Sequence, residues 1–167
     1  MTSQITYIQI DIYDGVKKRA IPRAKKSGFL KVLNNHRNVT LGKHFKNVSE
    51  TQPGGAYGYA KRDPKYTQMK QKRYGHTLPN VATGRMRNGI RNNSIPRATK
   101  DKGTLQIKAP ARKTGRSDRN FSMTEQQRDE ITAVSDQEWN DMGDMMRLHV
   151  STELSKPENK LKRKKRV

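Results

Sequence analysis

Four histidines, His36, His44, His76 and His149, are the residues of this 167-residue chain best suited to metal or acid–base chemistry. Their spacing assembles no site. No HExxH occurs, and His36 and His44 fall in a basic, loop-like stretch that reads as solvated or stacking rings. His76 with Asn80 offers the pair a metal-dependent nuclease would use, but such a site also needs further ligands and a general base, and Asp63 is the one acid nearby. Neither GxSxG nor a Walker-type GKS/T is present, and Gly54-Gly55 reads as a turn. The chain has no cysteine, which excludes thiol nucleophiles, disulfides, Cys-based zinc sites and Fe–S clusters. The acids at 125–144 read as a solvated helix face in preference to a catalytic pair. The expectation is a non-enzymatic protein with no cofactor or metal.

Charge carries the remaining signal, and it is sorted. Residues 15–119 hold 27 Lys and Arg against four acids, residues 120–155 hold two basic residues against eight acids, and residues 156–167 hold seven basic residues against one acid. The net charge is +21. A basic body with interleaved tyrosines (Tyr57, Tyr59, Tyr66, Tyr74) fits backbone contact with nucleic acid, and an acidic segment fits docking on other protein surfaces. No RRM, zinc-finger or helix-turn-helix signature supports base readout. Hydrophobic residues make up 31% of the chain, well below the roughly 45–50% of ordinary globular domains. A small core with long basic arms follows, ordered by assembly or by polyanion. No apolar run approaches the ~18 residues of a membrane span, and the first residues lack a signal-peptide pattern, so a soluble protein made in a cytoplasm is expected.

The elements that would position these charges read as follows. Residues 5–13, ITYIQIDIY, alternate as a strand does, and Asp14-Gly15 turns the chain. Residues 16–33 are either a short helix interrupted by Pro22 or a basic arm with an apolar knot at Phe29, Leu30, Val32 and Leu33. Residues 34–77 read as a long loop with tyrosine anchors and a short helix at 64–73. In the segment 78–95, Thr83 caps a short helix, or the chain enters a strand through Gly84. A meander of three or four strands spans 86–111, with 104–109 the best strand in it. Residues 122–155 read as one long helix. Ser122 with Glu125, or Thr124 with Gln127, forms its capping box, and Ile131, Ser135, Trp139, Met142, Met146, Val150 and Leu154 form its apolar face. Gly143 is a possible bend in that helix, and Pro157 ends it. The sum is an α+β fold: a small antiparallel β-sheet, a long C-terminal α-helix, and extended basic loops and arms. It makes a single domain over 1–155 with a basic tail at 156–167.

Three segments in order carry a family resemblance: FKNVSETQPGGAYGYAKRDPKYTQMKQKRYGH at 45–76, LPNVATGRMRNGI at 78–90 and RNFSMTEQQRDEI at 119–131. Together they resemble the small neck and tail-completion proteins of tailed bacteriophages, the head–tail joining or virion morphogenesis group. Thr83-Gly84-Arg85-Met86-Arg87 is similar to that family's TGR element before a small sheet, and Arg119 to Met123 to its segment before the last helix. The resemblance covers about two-thirds of the chain. Residues 1–44 depart from it, because an N-terminal helix is the family pattern.

The resemblance implies a structural virion protein that forms a homo-oligomeric ring in the neck, assembled in the host cytoplasm. Its partners would be the portal or connector and tail proteins, with non-specific contact to duplex DNA in the channel and none to membrane. The candidate nucleic-acid-facing residues are Arg85, Arg87, Arg91, Lys160, Lys162, Arg163, Lys164, Lys165 and Arg166. The competing role for the first three is salt bridging to acids of 125–144 in a neighbour. The candidate interface residues are Glu125, Asp129, Glu130, Trp139, Met142 and Met146. The alternative function is an RNA-binding ribosomal or accessory protein with basic arms.

Overall fold

The computed structural model describes residues 4–5, 15–46, 51–81, 84–108 and 123–161. It is an α+β fold. A strand β1 (Gln4–Ile5) precedes helix α1 (Ala20–Asn38) and a short 3-10 helix at Thr40–Phe45. Then come α2 (Pro64–Tyr74), α3 (Arg85–Asn93), the hairpin β2 (Ile95–Ala98) and β3 (Gly103–Gln106), α4 (Glu125–Thr132) and α5 (Asp136–Ser155). The strands order β1-β3-β2, antiparallel throughout.

The segment around Pro22 resolves as a full helix. Pro22 lies in the first turn of α1, where a missing N–H costs no intrahelical bond. Ala20, Ala24, Gly28, Phe29, Val32, Leu33 and His36 recur at helical spacing and are buried, so this stretch is no basic arm. Its partner is α5, whose Met142, Met146, Val150 and Leu154 form the facing stripe. The two helices run antiparallel. The chain just before α1 is zipped to the chain just after α5 by Lys17 N to Asn159 O (2.8 Å) and Leu161 N to Gly15 O (2.7 Å). They approach at Gly28, where an added Cβ would stand 2.5 Å from Met146 Sδ. The hairpin lies over α1 in the same manner: a Cβ on Gly103 would meet Phe29 and Leu33 at 3.0–3.1 Å.

Several expectations are corrected. The chain from 34 to 63 is not one loop, because α1 continues to Asn38 and the 3-10 helix follows, whereas the short helix expected at 64–73 is present as α2. The meander over 86–111 is reduced to one hairpin, since Arg85–Asn93 is helical and the third strand comes from Gln4–Ile5. The long helix over 122–155 is two helices. Thr124 with Gln127 caps α4, and a second capping box, Ser135 with Glu138, starts α5 after the extended residues Ala133 and Ser135. Ser135 is therefore a cap and not part of an apolar face. The Ser122 alternative, Thr83, and the strand reading of 6–13 lie outside the described residues. The α3 helix does start after Gly84, whose φ of 75° places it in the left-handed region that glycine tolerates.

Candidate functional site

The chemistry-bearing side chains of the middle of the chain converge where the 3-10 helix, the Gly-Tyr loop, α4 and α5 meet. His44 is fully buried there. Its ring stacks on Tyr57 at 4.0 Å between centroids, and its Nδ1 donates to the Glu130 carbonyl at 2.9 Å. That donation sets the neutral tautomer, leaving Nε2 as a buried lone pair with no hydrogen-bond partner. Burial lowers the His44 pKa to about 4, against the opposing attraction of Glu138. The Tyr59 hydroxyl donates to the His44 carbonyl at 2.8 Å, and burial next to the Glu130 carboxylate raises its pKa. Tyr57 donates to the Glu138 carboxylate, which Lys43 approaches at 3.8 Å.

Glu130 anchors the next segment. Arg62 meets its carboxylate with both guanidinium nitrogens, at 2.7 and 2.5 Å. Asn80 Nδ2 (3.0 Å), Gln126 Nε2 (3.1 Å) and the Ala60 amide (3.3 Å) complete the shell. Burial pushes the Glu130 carboxyl upward, but the hydrogen bonds from Arg62, Asn80 and Gln126 outweigh it, so its pKa sits below the ordinary value. Asn80 reaches this position with φ of 52°. Among the described residues Glu130 and Glu138 are the only buried acids, so the acidic segment is not wholly a solvated face.

These contacts are structural in kind. They clamp the loop at 51–63 onto α4 and α5 and so mount α2. Asp63 caps α2 by accepting from the Lys65 amide at 2.6 Å, Pro64 opens it, and Gly75 closes it in the left-handed region. Lys70 reaches back to the Leu78 carbonyl. A cleft of about 330 Å³ opens beside the cluster, lined by Lys43, Tyr57, Val134, Asp136 and Glu138 among others. No group of three or more His, Asp or Glu among the described residues is placed to hold a metal ion. Asn80 is committed to Glu130, and His76 stacks on Tyr74 at 6.3 Å.

The sequence candidates sort by surface. Arg87 and Arg91 are exposed one turn apart on α3, and Arg85 opens that helix. Lys160 is exposed beyond α5, whereas Lys162, Arg163, Lys164, Lys165 and Arg166 lie outside the described residues. Glu125 and Asp129 are exposed on α4, and Trp139 is 41% exposed on α5. Three interface candidates are corrected. Glu130 is consumed by Arg62 and Asn80, while Met142 and Met146 pack in the chain's own core. The histidines are corrected too: His36 and His44 are buried, not solvated, although His44 does stack. Sequence reasoning missed Arg62, Glu138 and Lys70 as internal partners. The one available signal was the set of tyrosines read as anchors: Tyr57 and Tyr59 are indeed buried, whereas Tyr66 is exposed.

No helix among the described residues is long and apolar enough to cross a membrane. No family model, curated protein or solved structure matches this chain.

Proposed function

We propose that this chain is a non-enzymatic structural subunit of a tailed-phage neck, working in a homo-oligomeric ring between portal and tail around the genome channel. The observation that carries this reading is the survival of charge sorting at the surface. Lys65, Lys72, Arg87, Arg91, Arg97 and Lys102 lie on α2, α3 and the hairpin, all exposed or half-buried, while Glu125, Asp129, Asp136, Asp141 and Asp144 do so on α4 and α5. Exposed cations thus dominate some elements and exposed carboxylates others, which suits a subunit that contacts both its neighbours and a polyanion. The order of the TGR segment, small sheet and final helix supports the same reading. The site chemistry adds to it, because the buried polar cluster binds segments of the chain to one another.

The test is mass photometry and electron microscopy of the purified chain, alone and with portal and tail proteins of the same genome. Closed rings, or stoichiometric binding to a portal, are expected. Duplex DNA binding should be non-specific and salt-steep, by about 10³–10⁵-fold between 50 and 200 mM salt if six to ten phosphates are met. A chain that stays monomeric with those partners and instead cross-links densely to RNA bases and 2′-hydroxyls supports the RNA-binding alternative.

A further inference from the structure

Helix α2 is held lightly and on one side only. The Arg62–Glu130 pair anchors the chain just before it, Lys70 bonds the Leu78 carbonyl just after it, and its other side is exposed. Lys65, Met69 and Lys72 follow one another at spacings of four and three, which puts them on one face, with Tyr66 and Arg73 flanking. Met69 is 53% exposed and Tyr66 48%. Elsewhere on the molecule, the outward face of α5 carries Asp141, Asp144 and Leu148, at spacings of three and four. Leu148 is 71% exposed. The carboxylates there hold exposed local partners, Gln137 on Asp141 (2.8 Å) and Arg147 on Asp144 (2.5 Å). Such surface pairs contribute little and exchange readily.

We propose that the outward face of α2 is the seat of a second copy of this chain, which docks there through the outward face of α5 around Asp141, Asp144 and Leu148. The two faces are complementary in sign, and each carries an exposed apolar residue: cations bracket Met69 on one, and carboxylates precede Leu148 on the other. A nucleic-acid backbone would satisfy the lysines but leave Met69 in water and α5 unused, so the observations favour the second copy. The faces are different surfaces of one molecule. The contact is therefore head-to-tail, the kind that propagates around a ring when its rotation closes. This deepens the ring reading above and rests on it.

Charge exchange tests the contact. One variant carries Lys65→Glu with Lys72→Glu, another Asp141→Lys with Asp144→Lys, and a third carries all four. All four positions lie at the surface, and circular-dichroism melts check that each variant folds. Sedimentation velocity should show the parent associating, with each two-site variant at least about tenfold weaker because like charges then face each other. An equimolar mixture of the two should re-associate as alternating copies, and the four-site variant should associate alone. Two-site variants that assemble as the parent does would overturn this contact while leaving the ring reading in place. The contact is equally overturned if the α2 variant loses only duplex DNA binding, or if mixture and four-site variant fail to recover. A parent that is monomeric both alone and with portal and tail proteins sinks the contact and the ring together.

Discussion

The buried His44 ring makes acid sensitivity a quantitative expectation. In the unfolded chain this imidazole takes up a proton near its ordinary value of 6.5, whereas in the fold it does so only near 4. Between those limits the unfolded state binds more protons, so stability falls as pH falls. The contribution is fully present above pH 6.5 and is lost by pH 4. A difference of about 2.5 units at 1.36 kcal/mol each amounts to about 3 kcal/mol. His36, lowered by its own burial, adds in the same direction. The control is His44→Phe, which keeps a ring against Tyr57 but cannot titrate. It forfeits the bond to the Glu130 carbonyl and is less stable than the parent at neutral pH. Urea unfolding of both proteins from pH 7.5 to pH 4 is the assay, because the carboxylates and His36 are common to both and cancel in the difference. The stability gap should narrow by about 3 kcal/mol across that range. A gap that holds constant with pH would mean that the folded ring keeps its proton, and the burial argument would be wrong.

Gly28→Ala should lower the thermal midpoint, because the new Cβ falls 2.5 Å from Met146 Sδ and 3.3 Å from Val150 Cγ2, both side chains are buried with little room to yield, and overpacking toward the upper part of the usual range of about 1–3 kcal/mol outweighs the helix-propensity gain of about 1 kcal/mol; a stabilised variant in calorimetry would show that α1 and α5 are less tightly seated. Arg62→Ala should cost about 2 kcal/mol in urea unfolding, less than a fully buried pair because Arg62 is partly exposed and Glu130 keeps Asn80, Gln126 and the Ala60 amide. No change there would count against the clamp. Asp63→Ala should fray α2 by about 1 kcal/mol, seen as faster amide exchange at Lys65 and Tyr66, while leaving the global midpoint in place. A drop in the global midpoint would mean that α2 is part of the core.

The legible elements are those whose information is local. The capping box at Thr124 and Gln127 and the 3.6-residue stripe through Met142, Met146, Val150 and Leu154 lie within single turns of one another, so pattern alone finds them. The Asp63-Pro64 start of α2 is local in the same sense, and a short helix at 64–73 was readable. The break at 133–135 was missed. Ile131 and Trp139 continue the helical spacing across it, and that continuity masked a second local capping-box pattern, Ser135-Asp136-Gln137-Glu138, which starts α5. The meander failed for a related reason. The segment from Met86 to Ile90 holds only two apolar residues, four apart, a spacing that suits a strand or a helix equally, and burial of Ile90 accompanies the helix that forms.

By itself the sequence determined how much charge of each sign the chain carries and how that charge is divided along it. Net charge, its division between body and C-terminal helices, and the scarcity of apolar residues are sums over residues and do not depend on how the chain folds. Tertiary structure alone decided which charges remain available. Arg62 and Glu130 stand 68 positions apart, and Tyr57 and Glu138 stand 81 apart. Whether a carboxylate faces water or a buried donor depends on distant segments being brought together, and no local pattern encodes that. Two acids of an apparently solvated face thereby became the clamp that holds the chain before α2, leaving Asp141 and Asp144 exposed.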